Sequence, residues 1–310
     1  VFLLFTLLTL GIIFAGVRNG VERVSRMMMP VLVVLSVIIA AYSVTRPGAL
    51  EGVKYFLVPN PANFSWMTVV TAMGQMFYSL SIAMGILVTF GSYMKKDVPI
   101  EGSTENVEIF DTLIAMMAGL MIIPAVFSFS GGDPDTLQAG PALMFITIPK
   151  VFESMELGSL VGVLFFVLVL FAAVTSSIAL TESAVSTFED ELGWSRKKAA
   201  AVIGIIMVLL GSLSALGYGP LSGVTVIGMQ FLDFFDFLTN SVMMPIAAIA
   251  TCLLVTSVIG VEKIEEEVTR NGQPFRRKKI FNFMIRTLCP VFAAIILVSS
   301  VANALGWISM

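Results

Sequence analysis

Ser79 and Ser81 flank Leu80 inside a long apolar run, and Gly85 follows four residues later. Breaking a membrane-spanning helix there frees backbone carbonyls and amides that lipid cannot satisfy, so a break is tolerated only where those groups face buried protein, water or a ligand. Hydroxyls and freed carbonyls are hard oxygen ligands for an alkali or alkaline-earth cation. Amides freed at the start of a half-helix suit a carboxylate. The same serines also suit bonding back to the preceding turn and only bending the helix, and the spacing leaves both readings open.

A second hydroxyl-bearing face lies in the run Ala172 to Leu180. At helical spacing Ala172, Thr175, Ser176, Ala179 and Leu180 share one side. Two hydroxyls on a stripe of small residues fit an ion site, and close packing of membrane helices uses the same stripe. Two acids, Asp111 and Glu182, fall within or just inside apolar runs, where a carboxylate points to ion or proton handling. The plainer alternatives are that Asp111 caps its helix and that Glu182 reaches solvent at the cytoplasmic end. Asp236 and Asp190 sit at opposite ends of their runs without an obvious local cation, and surface charge accounts for them equally well. The charged run Glu262 to Arg270 reads as a solvated helix.

The elements that must position these residues are membrane helices. Of 310 residues, 57% are hydrophobic and only 13% charged, and the mean hydropathy is +0.95, far from the roughly one-quarter charged balance of soluble domains. Apolar runs of spanning length, about 20 residues, are read at 1–17, 27–45, 66–94, 107–130, 158–188, 197–216, 229–258 and 280–306. Turn residues punctuate the connections, as in Pro59-Asn60-Pro61, Gly131-Gly132-Asp133-Pro134 and Gly217-Tyr218-Gly219-Pro220. The chain reads as one transmembrane domain over 1–310. Histidine is absent and the two cysteines, Cys252 and Cys289, lie in apolar runs. A disulfide framework, a zinc site and Cys/His catalysis therefore lack material, and no nucleophile–base pair argues for an enzyme. A net charge of −3 gives no basic surface for nucleic acid.

Lysines and arginines alternate between the connections. Arg18, Arg23 and Arg26, then Lys95 and Lys96, then Arg196, Lys197 and Lys198, then Lys263, Arg270 and Arg276 to Lys279 fall on one side, against Arg46, Lys54 and Lys150 on the other. The richer side is cytoplasmic, which sends the C-terminus outside, and Arg286 near the inner end of its helix snorkels. The opening Val1-Phe2-Leu3-Leu4, with no methionine and no basic leader, reads as the interior of a helix, so the chain is expected to be the C-terminal part of a longer protein.

Four segments in order carry a family pattern: Gly74 to Ser81 with Gly85, Gln138 to Pro149, Ala172 to Ser177, and Glu189-Asp190-Glu191-Leu192. Together with the loop Gly16 to Arg23, they resemble the neurotransmitter:sodium symporter family, in its bacterial amino-acid-transporting branch, from that loop to the end of the chain. The resemblance implies an all-α polytopic fold of two inverted five-helix repeats, the second complete and the first mostly missing, and sodium-coupled symport of an amino acid across the cytoplasmic membrane. By motif position, Ser79 and Asp111 belong to a first sodium site and Ala172, Thr175 and Ser176 to a second. Tyr78 stands at an aromatic lid, and Ser79, Ser81, Ala83, Met84 and Leu180 line the substrate pocket. Asp236 falls at the outer gate, and Asp190 with Tyr93 at the inner gate, each acid meeting an arginine of the missing repeat. Ala83 departs from the glycine many members have, and Met84 suggests an apolar or aromatic substrate. Asp111 holds a carboxylate where animal members use chloride, which implies proton handling by Asp111, with Glu182 as a further candidate. Besides sodium, the partners implied are the amino acid, the bilayer and the missing repeat, with no organic cofactor. A proton-driven broken-helix carrier of amino acids or organic cations also explains Ser79 to Gly85 without needing the Thr175-Ser176 stripe.

Overall fold

In the computed structural model the described residues are 1–307 except Gly132 and 134–139, and the side chains of Asn63 and Asn271 are left aside. The expected motif residues Gln138 and Ala139, with Gly132 and Pro134 of the preceding turn, lie outside the described residues.

The apolar runs become helices α1 (Phe2–Phe14), α2 (Val17–Val44), α3 (Ala49–Leu57), α4 (Trp66–Ser79), α5 (Ile86–Ser92), α6 (Ile100–Ser130), α7 (Ile148–Glu153), α8 (Gly158–Leu192), α9 (Arg196–Gly217), α10 (Phe231–Ile259), α11 (Val261–Val268) and α12 (Lys278–Ala304). Six of these, α2, α6, α8, α9, α10 and α12, are long and apolar enough to cross a membrane. The other two expected spans differ for local reasons. The run 1–17 forms the short α1 and is interrupted at Ala15 and Gly16 before α2 begins, and the run 66–94 is divided into α4 and α5.

Helix ends follow residue chemistry. Ser65 and Thr68 form a reciprocal capping box at the start of α4, which satisfies amides that no helical carbonyl reaches. After α8, Gly193 turns the chain at φ +62, the left-handed conformation glycine adopts without a Cβ clash. Hydropathy placed the start of α6 at 107, whereas the helix begins at Ile100. Its first turns are polar because they are anchored by charge: Glu101 accepts the backbone N–H groups of Arg276 and Arg277, both at 2.9 Å. Arg277 also bridges to Glu105 at 3.3 Å and Glu108 at 2.8 Å.

The chain forms two compact units. One comprises Val1–Phe14, Ser65–Glu108 and the residues from Ala179 onward. In it α1 packs on α9 through glycines. A Cβ on Gly204 would come within 2.7 Å of Leu10, and one on Gly211 within 2.4 Å of Phe2. α10 packs along α12, with Met244, Ala248, Cys252, Ala293 and Ile296 buried.

The other unit, Ala15–Phe64 with Ile109–Ile178, has an apolar core centred on Leu35, Ile39, Val126, Val151, Phe152 and Phe165. Phe152 and Phe165 meet edge to face with centroids 5.3 Å apart. α3 lies so close to α6 that a Cβ on Gly52 would be 2.8 Å from the Cα of Pro124. The Tyr42 hydroxyl donates to the Glu156 carbonyl.

Candidate functional site

The break expected from the Gln75 to Gly85 sequence is present. α4 ends at Ser79, α5 begins at Ile86, and Leu80 to Gly85 run as turns. Ser81 and Ala83 adopt φ +54 and +64, and Gly85 φ +80. For an L-residue that region costs roughly 1–2 kcal/mol, and such strain persists where surrounding structure imposes it, commonly at ligand sites. Alanine therefore holds, with its Cβ, a conformation that glycine adopts without penalty.

Around the break, Ser81, Ala83 and Met84 are half-buried, and Tyr78 and Ser79 are exposed. Gln75 and Tyr78 line a cavity of about 450 Å³ together with Asp236, Asn240, Ser241 and Ser300. Asp236 also lines a neighbouring cavity of about 320 Å³ with Asp233 and Asn303, and it accepts from Asn240 Nδ2 at 2.5 Å. Asp236 and the lid candidate Tyr78 thus share one open cavity. Leu180 is exposed on the middle of α8.

At the C-terminal end of α5 lies a charged cluster whose core the sequence reading did not foresee. Glu182 is fully buried. Its Oε2 takes Arg196 Nη2 at 2.5 Å, and its Oε1 takes Arg196 Nη1 at 3.0 Å and the Tyr93 hydroxyl at 2.8 Å. Arg196 further donates from Nε and Nη2 to the Ile13 carbonyl at 3.1 and 3.0 Å, and reaches Glu189 at 3.4 Å. A two-point guanidinium–carboxylate contact is directional and strong, and removing one partner of a buried pair costs about 3–5 kcal/mol. The alternative that Glu182 reaches solvent is therefore corrected: Arg196, read as a loop cation, satisfies it. A usable signal existed, because a buried acid near the end of one helix requires a cation, and Arg196 opens the next helix. Tyr93 belongs to this cluster, while Asp190 is exposed at the end of α8.

In the other unit, Thr175 Oγ1 donates to the carbonyls of Phe171 and Ala172, both at 3.0 Å. With its proton so directed, its oxygen lone pairs remain available to a cation. Ala172 and Thr175 are half-buried and Ser176 is exposed. Asp111, half-buried, lies about three turns beyond the start of α6 at Ile100, so the reading of Asp111 as a cap of that helix is corrected. No cluster of three or more His, Cys, Asp or Glu capable of holding a metal occurs among the described residues.

The model of the sodium:neurotransmitter symporter family matches residues 2–306. The chain is 35% identical over 298 residues to the uncharacterized sodium-dependent transporter YhdH of Bacillus subtilis (strain 168), covering 96% of this chain and 64% of that protein. It is 27% identical over 239 residues to the sodium- and chloride-dependent taurine transporter of Rattus norvegicus, covering 72% of this chain and 37% of that one. The crystal structure of MhsT in complex with L-phenylalanine superposes with a TM-score of 0.82 at 34% identity, covering 96% of this chain and 66% of that chain. The chain thus spans about 64% of the length of YhdH. With a broken helix at the expected place and a family match along nearly its whole length, the chain belongs to the sodium:neurotransmitter symporter family and is a multi-pass membrane protein.

Proposed function

We propose that this protein is a sodium-coupled symporter that carries an apolar or aromatic amino acid across the cytoplasmic membrane by alternating access. The observation that carries the reading is the strained break at Ser81 and Ala83 in a chain of this family. Support comes from the sodium dependence in the names of its relatives and from the L-phenylalanine held by a structural neighbour.

In the unit that holds the break, Tyr78 acts as the lid over the substrate. Ser79, Ser81, Ala83, Met84 and Leu180 form the pocket, and Ser79 also ligates sodium. Asp236 serves the outer gate. Tyr93 with its Glu182–Arg196 partners and Asp190 serve the inner one. In the other unit, Ala172, Thr175 and Ser176 hold a second sodium, and the Asp111 carboxylate offsets sodium charge and handles a proton on the return step. Both Glu182 oxygens are engaged by donors, which favours a gating role for that acid. The part of the relatives' length not spanned here supplies most of the first of two inverted five-helix repeats, and residues 1–310 form one transporter domain with an external C-terminus. Sodium shifts the population towards the outward state, and sodium with substrate permits closure.

The test is uptake of labelled L-phenylalanine by the full-length protein in proteoliposomes. Uptake is expected to follow an inward sodium gradient and to stop when choline replaces sodium. Uptake driven by a pH gradient without sodium would reject this reading in favour of a proton-driven carrier.

A further inference from the structure

The break ends at a glycine pressed against a buried serine. A Cβ on Gly85 would lie 2.7 Å from Oγ of Ser183 on α8. Thr89 Oγ1, one turn into α5, donates to that same oxygen at 3.3 Å. Thr89 and Ser183 are 7% and 6% exposed. One turn further on, Tyr93 reaches Glu182, the residue beside Ser183, at 2.8 Å. Residues 85, 89 and 93 repeat every four, so they form one stripe on α5, and the stripe faces one short stretch of α8.

α5 has only seven residues, too few to persist as an isolated helix, and the chain leaves helical conformation on both sides of it. Its placement within its unit therefore depends on what it touches, and this stripe carries its polar contacts to α8. The Thr89–Ser183 bond lies beyond the usual O–H···O range of about 2.5–3.0 Å. Gly85, lacking a Cβ, lets the two backbones approach closely enough to form it.

We infer that Gly85, Thr89 and Ser183 form a latch that registers the cytoplasmic half of the broken helix on α8. In this inference Ser183 is a positioning residue, acting on the substrate segment Ser81 to Gly85 through Gly85 rather than touching substrate. The functional part of this inference rests on the transport reading above; the positional part does not.

The experiment uses the full-length protein in lipid nanodiscs with T89V, which is isosteric, S183A, their combination, T89S, G85A and G85A/S183A. The first readout is backbone hydrogen exchange over residues 86–92. T89V and S183A should each speed exchange about threefold to tenfold, the scale of one neutral hydrogen bond. Because both remove the same bond, the combination should do no more than the larger single change, and T89S should match the parent. The second readout is sodium-dependent equilibrium binding of labelled L-phenylalanine. Its Kd should rise by a similar factor as the competent population falls, while maximal uptake per folded molecule is retained. G85A should weaken binding, and S183A should partly restore it in G85A although it harms the parent. Unchanged exchange in T89V and S183A would overturn the latch, as would single effects that multiply in the combination or losses confined to the amount of folded protein. A parent that binds no L-phenylalanine, with exchange responding as expected, would reject the transport reading and leave the latch standing.

Discussion

Thr175 bonds back to the preceding turn, an arrangement weighed in the sequence for Ser79 and Ser81 rather than for this face, where close helix packing is the plainer alternative. A hydroxyl that gives its proton to a carbonyl is also one whose oxygen can ligate a cation. Replacing Thr175 and Ser176 together by alanine is expected to lower sodium affinity by about tenfold or more, on a scale of 1.5–3 kcal/mol for a bond to a charged group. The sodium dependence of uptake by the full-length protein checks it, and an unchanged dependence would reject the second sodium site. Asp111 is removed from its capping role by the early start of α6. A fixed carboxylate near a bound cation does the electrostatic work of a bound anion, so uptake should persist when gluconate replaces chloride. Asp111→Asn should lose activity or acquire a need for chloride. Parental activity that vanishes without chloride would defeat this assignment.

At the scale of elements, the break was legible because hydroxyls, alanine and glycine interrupt an apolar run at Ser79 to Gly85. Its strain was not, since φ at Ser81 and Ala83 depends on where α4 and α5 are fastened. The start of α6 was misread for a related reason: hydropathy cannot see that Glu101 and Glu108 find partners about 170 residues away. Close approach of elements is equally invisible in one dimension. At the start of α8, a Cβ on Gly158 would fall 1.7 Å from the Phe152 carbonyl oxygen, whereas one on Gly162 meets Phe152 only at 3.5 Å. Gly158→Ala should therefore lower stability by at least about 1–3 kcal/mol, the usual scale of overpacking, and Gly162→Ala should be nearly neutral. Thermal unfolding in detergent separates the two, and equal midpoints would show that the α7–α8 corner yields without cost.

On the scale of the whole molecule, the chain spans 64% of the length of YhdH, and the acids Asp190 and Asp236 are both exposed. A protein of residues 1–310 alone is expected neither to bind L-phenylalanine in sodium nor to transport it; sodium-dependent binding by that chain would show that these residues hold a complete site. The sequence by itself determined membrane residence, the helix order, the place of the break and the family, because each follows from local composition or from short motifs. The tertiary structure decided which polar groups satisfy one another. Glu182 is a buried partner of Arg196 and Tyr93, and Ser183 is a neighbour of Gly85 and Thr89, because the low-dielectric interior leaves a buried charge or hydroxyl stable only beside a specific partner. That partner is set by how helices distant in sequence pack.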